Sequence, residues 1–170
     1  MHDTSILDAI RRRRSIREFT TEQVDGDLLR RIIEAGIWAP SGLNNQPWRF
    51  VTVTDPGLRG RIAELTRYSH IVAAAPALIA VYLDTAAMYD TVKDHQAAGA
   101  CIQNMLLAAE ALDLGAVWLG QILKNKDRVN ALLDLPDSLD LMAVLAVGRP
   151  AHRNQRSHRK ELAFFILKEL

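Results

Sequence analysis

An uncharged stretch in the second half of the chain, from Gln96 to Ala109, restricts the fold most. Its apolar and small residues occupy every side of a helix predicted from about Asp94 to Leu114, so the helix must be covered all round. In a chain of 170 residues, complete coverage is easier when a second copy supplies part of it. The stretch therefore predicts a homodimer with an apolar interface. A central helix covered by the sheet and helices of its own chain is the alternative.

Short apolar segments on both sides of this helix predict buried strands. They run from Ala77 to Asp84 and from Leu141 to Gly148, and "RFVTVTD" after Trp48 alternates like a strand. A first helix, capped by Thr4 or Ser5, is predicted to carry Ile6, Leu7 and Ile10 on one face and to end in the arginine run that begins at Arg11. Further helices are predicted near 25–40, 56–68 and 124–136, and Pro40 ends the first of these three. Since no linker or repeat divides the sequence, we expect one domain over residues 1–170.

Composition and charge exclude several functional classes. Hydrophobic residues make up 49% of the chain, charged residues make up 24%, and no apolar run approaches the length of a membrane span. With 21 Lys and Arg against 20 Asp and Glu, the net charge of +1 is too balanced for a protein devoted to nucleic-acid phosphates. The single cysteine, Cys101, excludes an intramolecular disulfide, and the first ten residues lack a secretory signal pattern. We therefore expect a cytoplasmic protein.

Residue spacing gives no support to metal or nucleophilic chemistry. Cys101 lies within the apolar helix, where a small core residue is the expected role. The sequence has no GxSxG elbow, no P-loop and no GxGxxG after a strand. We therefore expect no metal and assign no catalytic side chain. The histidines, which show no ligand spacing, are His2, His70, His95, His152 and His158.

Two segments in the first third of the chain carry groups suited to an anionic or polar ligand. The basic run "RRRRSIREF", Arg11 to Phe19, offers arginine forks that bind phosphate oxygens in pairs and a serine donor; a solvated basic helix end is the alternative. The loop "APSGLNNQPW", Ala39 to Trp48, offers hydroxyl and amide groups to the edge of a heterocycle. Turn-forming asparagines are the alternative there.

A third segment, "LGAVWLGQI", lies after the apolar helix. Gly115 and Gly120 in it allow the backbone to approach a flat ligand closely. Arg159, in the basic stretch after Pro150, offers a further phosphate contact.

Together and in this order, these segments resemble the flavin-dependent nitroreductase family. The matches are "RRSIREF", "APSGLNNQPW" with its PSxxNxQPW pattern, "AAGACIQNMLLAAEALDLGAVWLG", and "LMAVLAVGRP" followed by Arg159. The resemblance spans essentially the whole chain, and each motif gains specificity from the others. One departure is Asp113, which stands where the family often has glycine.

The resemblance implies an α+β fold, a three-layer α-β-α sandwich with a mixed central sheet flanked by helices. It also implies a homodimer that holds FMN at the subunit interface. The residues that match cofactor positions are Arg13, Arg14 and Ser15 for the phosphate and ribityl chain, Arg17 for the pyrimidine edge, Pro40, Ser41 and Asn44 for a loop from the other subunit, Trp118, Leu119 and Gly120 for the segment beside the ring, and Arg159 for a late phosphate contact.

The activity implied by the resemblance is an FMN-dependent oxidoreductase that takes hydride from NADH or NADPH and reduces nitroaromatic, quinone or similar electron-poor acceptors. Donor and acceptor would use the same face of the flavin in turn, which predicts ping-pong kinetics. A cation at Arg17 would stabilise the negative charge left by hydride transfer. The alternatives within flavin chemistry are reductive dehalogenation, flavin destruction, dehydrogenation and non-catalytic flavin binding. A nucleic-acid binder that uses Arg11–Arg14 is a further alternative, and the near-neutral net charge argues against it.

Overall fold

The fold is a four-stranded sheet with helices on both faces, in a computed structural model that describes residues 6–170. Thr4 and Ser5, the predicted caps of the first helix, lie outside the described residues. Along the chain, the elements are α1 (Ile6–Arg12), α2 (Gly26–Ile37), β1 (Trp48–Val53), α3 (Pro56–Ala63), α4 (Ser69–Ala74), β2 (Ala77–Asp84), α5 (Thr91–Ala111), β3 (Gly115–Leu119), α6 (Lys126–Leu132) and β4 (Leu139–Gly148). No described helix is both long and apolar enough to cross a bilayer.

The strands are ordered β1-β2-β4-β3, and every neighbouring pair is antiparallel. β2 lies inside the sheet and pairs along its whole length, with Ala77 opposite Val147 in β4. The one parallel pairing recorded for residues 6–170 is an isolated bridge between Ser15 and Ala116, at the free edge of β3. The expected mixed sheet is therefore mixed only through this bridge.

Alternation along the strands divides the apolar residues between two cores. Ile79 and Val81 of β2 face the layer of α2 and α5, while Leu78 and Tyr82 face the layer of α3, α4 and α6. Helices therefore cover both faces of the sheet. This confirms the predicted three-layer α-β-α sandwich.

The helix α5 runs through one of these cores and is covered mainly by its own chain. Its residues Cys101, Ile102 and Met105 are completely buried against α2 and the sheet. A stripe that includes Gln96 and Gln103 stays exposed or half-buried. Coverage by the chain itself, the alternative to a dimer, thus accounts for most of the helix, and this stripe is what a second copy would cover.

Two helix ends differ from a simple reading of the periodicity. The helix predicted over 56–68 ends at Ala63, and the buried Arg59 guanidinium donates to the carbonyls of Ala73 and Ala75, which join α3 to the end of α4. After α5, Asp113 takes a left-handed conformation with φ 57°. Asp113 therefore makes the helix exit that glycine often makes at this position.

We predict that the Cys101 thiol is unreactive in the folded protein. Burial raises its pKa to about 12, so the reactive thiolate is scarce even in mildly alkaline buffer. Ellman's reagent should label the native protein slowly and the guanidinium-unfolded protein rapidly. Equal labelling rates in the two states would contradict the buried position.

Candidate functional site

The basic run is attached to the free edge of β3. Ser15 bridges Ala116, and the Ile16 N–H donates to the Ala116 carbonyl at 3.0 Å. Ile16 is 1% exposed and packs on Gly115, where an added Cβ would lie 2.7 Å from side-chain carbons of Ile16. The absence of a side chain at Gly115 therefore allows the run to lie against the strand.

The basic run and β3 continue in the same direction from this bridge. Arg17 and Trp118 each lie two residues beyond it, and both side chains are exposed. The side chain of Leu119 is buried in the core beneath α3, α4 and α6, so only its backbone is available at this edge of the sheet. Gly120 is exposed where β3 ends. The structure thus brings the predicted Arg17 and Trp118–Gly120 segments to one edge of the sheet.

The C-terminal segment begins beside the same run. Phe19 bridges Pro150, and the Ala151 N–H donates to the Glu18 carbonyl at 3.0 Å. The Arg149 guanidinium contacts Glu22 with 2.6 Å between Nε and Oε1. These contacts place the start of the C-terminal segment beside the basic run.

Three arginines from the two ends of the chain consequently share one patch. The pKa of the half-buried Arg13 is lowered by burial and by the positive charges of Arg14 and Arg159, while Glu110 acts in the opposite direction. That carboxylate also accepts from Arg153 at 3.0 Å, so its charge is shared with a further cation. The patch therefore carries positive charge that these residues do not balance.

The guanidinium of Arg14 is held in place by backbone carbonyls. Its Nη1 donates to the carbonyls of Arg11 at 2.6 Å and Arg13 at 2.9 Å. Its Nε is buried and has no hydrogen-bond partner among the described residues. A buried donor without an acceptor is costly, so an anionic ligand at this patch would be stabilising.

The amide loop has a strained backbone and lies at the start of α5. Leu43, Asn44 and Gln46 all have positive φ, of 54°, 54° and 47°. Ser41 accepts through Oγ from the Gln46 N–H at 3.1 Å. Pro40 and Asn44 are exposed.

This loop is not joined to the arginine patch. In the part of the chain that the structure describes, no hydrogen bond or ion pair links Pro40, Ser41 or Asn44 to the three arginines. Instead, Asn45 donates to the Asp94 carboxylate in α5. A single chain therefore gathers every predicted site residue except these three, which the resemblance assigns to the other subunit.

Residues missed by sequence reasoning support the segment after Gly120. The Gln121 Oε1 accepts from the Thr66 hydroxyl at 2.7 Å and from the Arg67 N–H at 3.0 Å. The Asn125 amide donates to the Leu65 carbonyl at 2.8 Å. Gln121 and Asn125 are each more than fifty sequence positions away from the residues they contact. The only local sign of these contacts in the sequence is a Gln and an Asn shortly after a glycine.

A groove of about 420 Å³ lies beside Trp118. Its lining is mostly apolar and includes Lys126 and Asp140, whose Nζ and Oδ1 are 2.7 Å apart. That carboxylate raises the pKa of Lys126. Among residues 6–170, no three or more His, Cys, Asp or Glu side chains are grouped so as to hold a metal ion.

We predict that Gly115→Ala destabilises the protein by about 1–3 kcal/mol, because the new methyl group must displace Ile16 or the strand. The measurement is urea denaturation followed by far-UV circular dichroism. Gly120→Ala is the matched control: its new Cβ meets nothing within 4 Å, and the free energy of unfolding should change by less than ~0.5 kcal/mol. Equal effects of the two substitutions would refute this account of the edge.

Known proteins resemble this chain in sequence and in structure. A protein of Methanothermobacter thermautotrophicus, provisionally named an NADH dehydrogenase/NAD(P)H nitroreductase, is 34% identical over 86% of this chain and 78% of its own length. A provisionally named nitroreductase from Desulfovibrio desulfuricans, solved in complex with FMN, is 50% identical and superposes with a TM-score of 0.93, covering 99% of this chain and 98% of that one.

A more distant solved structure has the same fold. It is the NADPH:FMN oxidoreductase of Vibrio harveyi complexed with NAD⁺, which is 25% identical and has a TM-score of 0.86 over 96% of this chain and 76% of that one. The sequence profile of the nitroreductase family matches residues 10–69 and 63–149. On this profile match and these similarities, this chain belongs to the nitroreductase family.

Proposed function

We propose that the protein is an FMN-dependent oxidoreductase that takes hydride from NADH or NADPH and reduces electron-poor acceptors such as nitroaromatics and quinones. The observation that carries this proposal is the arginine patch of Arg13, Arg14 and Arg159 near the start of β3, on the edge whose other end carries the exposed Trp118 and Gly120. The FMN and NAD⁺ complexes of the two solved relatives agree with it.

The residues of the patch suit the phosphate of FMN. Burial and neighbouring cations already lower the pKa of Arg13, and the Arg14 Nε lacks an acceptor. A phosphate would reduce the repulsion between the arginines and accept from their guanidinium groups, which bind phosphate in a bidentate manner. Ser15 lies next to them at the bridge and adds a hydroxyl for the phosphate or ribityl chain.

The end of β3 suits the flat ring of the same ligand. Trp118 presents an indole that is 42% exposed, and Gly120 has no side chain to keep a ring away from the backbone. Arg17 lies further along the run than the phosphate-binding arginines and has an exposed guanidinium. It is therefore available to the pyrimidine edge of the ring.

FMN, when bound, supplies the redox chemistry, accepting hydride and then delivering electrons to the acceptor. The protein's role is placement and charge. Arg13, Arg14 and Arg159 hold the phosphate, and Trp118 and Gly120 set the depth of the ring. Arg17 stabilises the negative charge that develops at the pyrimidine edge.

The proposed site is completed by a second copy of the chain. Pro40, Ser41 and Asn44 belong to a loop that does not reach the arginines of its own chain, so we assign it to the partner's FMN. Exposed apolar side chains agree with a dimer, because the surface of a monomer rarely leaves a large contiguous apolar group such as Leu162 and Phe164–Leu167 uncovered. Among the described residues, the exposed large apolar side chains include Trp38, Leu43, Trp118, Leu162, Phe164, Phe165, Ile166, Leu167 and Leu170.

We expect the purified protein to be yellow and to release FMN on denaturation. With a quinone or nitroaromatic acceptor, it should oxidise NADH or NADPH, and double-reciprocal plots at several acceptor concentrations should give parallel lines. Protein that neither contains nor takes up FMN would overturn the proposed function. Intersecting lines would overturn the ping-pong order.

Substitutions of Arg13 and Arg17 should separate binding from reduction. Arg13→Ala removes a phosphate contact and should raise the Kd for FMN roughly tenfold or more, as fluorescence quenching would measure. Arg17→Ala should leave the Kd near normal but slow anaerobic reduction by NADH or NADPH roughly tenfold or more in stopped flow. Arg61→Ala, an exposed arginine on α3, is the control for both. Normal reduction by FMN-loaded Arg17→Ala would exclude its role.

A further inference from the structure

Asp94 is a completely buried carboxylate in the first turn of α5, and three neutral donors make its hydrogen bonds. Its Oδ1 accepts from the Asn45 amide at 2.8 Å, and its Oδ2 accepts from the N–H groups of Tyr89 at 2.9 Å and Asp90 at 3.0 Å. No arginine or lysine among the described residues forms an ion pair with it. Buried carboxylates are rare without such a pair, so these hydrogen bonds must hold the charge in place.

The hydrogen bonds keep Asp94 ionised. Burial raises its pKa, but the N–H of Asp90, the amide of Asn45, the N–H of Tyr89 and the charge of the neighbouring His95 together outweigh burial, and the pKa lies below its usual value. An ionised carboxylate only accepts, so the Asn45 amide must face it with its NH₂ group. That NH₂ group also donates to the Ala87 carbonyl at 3.1 Å. Asn45 is thereby held between α5 and the turn that precedes it.

Asn45 lies within the strained part of the amide loop. Leu43 and Asn44 before it and Gln46 after it all have left-handed backbones, which the rest of the structure must stabilise. Gly42 packs so closely on the ring of Tyr89 that a Cβ there would overlap it. Asn45 is the loop side chain that connects this strained backbone to a buried charge.

We propose that Asp94 is a positioning residue: through Asn45, it holds the Pro40–Asn44 loop in the shape that meets the FMN of the second copy. This inference rests on the proposed function. Asn45 occupies a variable position of the PSxxNxQPW pattern, so the motif itself gives it no role. A loop that is shaped before binding loses less conformational freedom on contact, which raises ligand affinity.

The test compares Asp94→Asn, Asn45→Ala and the double variant with the wild-type dimer. We expect each single substitution to raise the Kd for FMN roughly tenfold, because the binding-competent loop becomes a minor population. The Kd of the double variant should be no higher than that of the more affected single variant, because both substitutions remove the same hydrogen bond between Asn45 and Asp94. Reduction of bound FMN by NADH should keep its wild-type rate at saturating FMN.

Asp90→Ala is the matched control at the same helix start. The Asp90 carboxylate caps α5 by accepting from the Lys93 N–H at 2.9 Å, so its loss should lower thermal stability without changing the Kd for FMN. Hydrogen exchange of residues 41–46 in flavin-free protein gives a second measurement, and exchange should accelerate in Asp94→Asn but not in Asp90→Ala.

The outcomes separate the two proposals. Wild-type protein that binds no FMN would overturn the proposed function. Wild-type protein that binds FMN with the same Kd as Asp94→Asn would overturn the positioning role alone. Additive effects in the double variant, or a Kd that rises as much in Asp90→Ala, would reduce Asp94 to a general stabiliser of the helix and would also overturn it.

Discussion

The close contact between Ile16 and Gly115 determines where the candidate site can form. Because Gly115 has no side chain, the basic run reaches the edge of β3 and the bridge from Ser15 to Ala116 can form. From that bridge, the chain continues to Phe19, which pairs with Pro150 and returns the C-terminal segment to the same corner. Residues from both ends of the sequence meet there because one strand edge has room for a second backbone.

The two ends of α5 arrange charge in opposite ways. At the C-terminal end of α5, near Glu110, the arginine patch holds more positive charge than its neighbours balance, and the buried Nε of Arg14 has no acceptor. At its start, Asp94 has both oxygens occupied by donors and is closed to a ligand. Both arrangements agree with the helix dipole, which favours anions at the start and cations at the end. The first is suited to binding, and the second to holding neighbouring backbone in place.

Local pattern predicted the buried elements well and their junctions less well. The strand over Ala77–Asp84 agrees with the sequence because an apolar β-rich run is buried on both faces. The helix predicted over 56–68 was too long, since Leu65 and Thr66 turn away to contact residues after Gly120. β3 was not predicted as a strand, because five residues gain their conformation from pairing with β4. The bounds of α5 shifted by about one turn.

The sequence by itself determined most of the helices and three of the four strands, that α5 must be covered, and which motifs carry cationic and amide groups. These properties depend on residues within a few positions of one another, so periodicity and composition reveal them. Only the tertiary structure decided that Arg159 joins Arg13, that Asn45 meets Asp94, and that most of α5 is covered by its own chain. Those contacts join distant positions, and they exist because strand pairing and close packing at particular small residues bring the segments together.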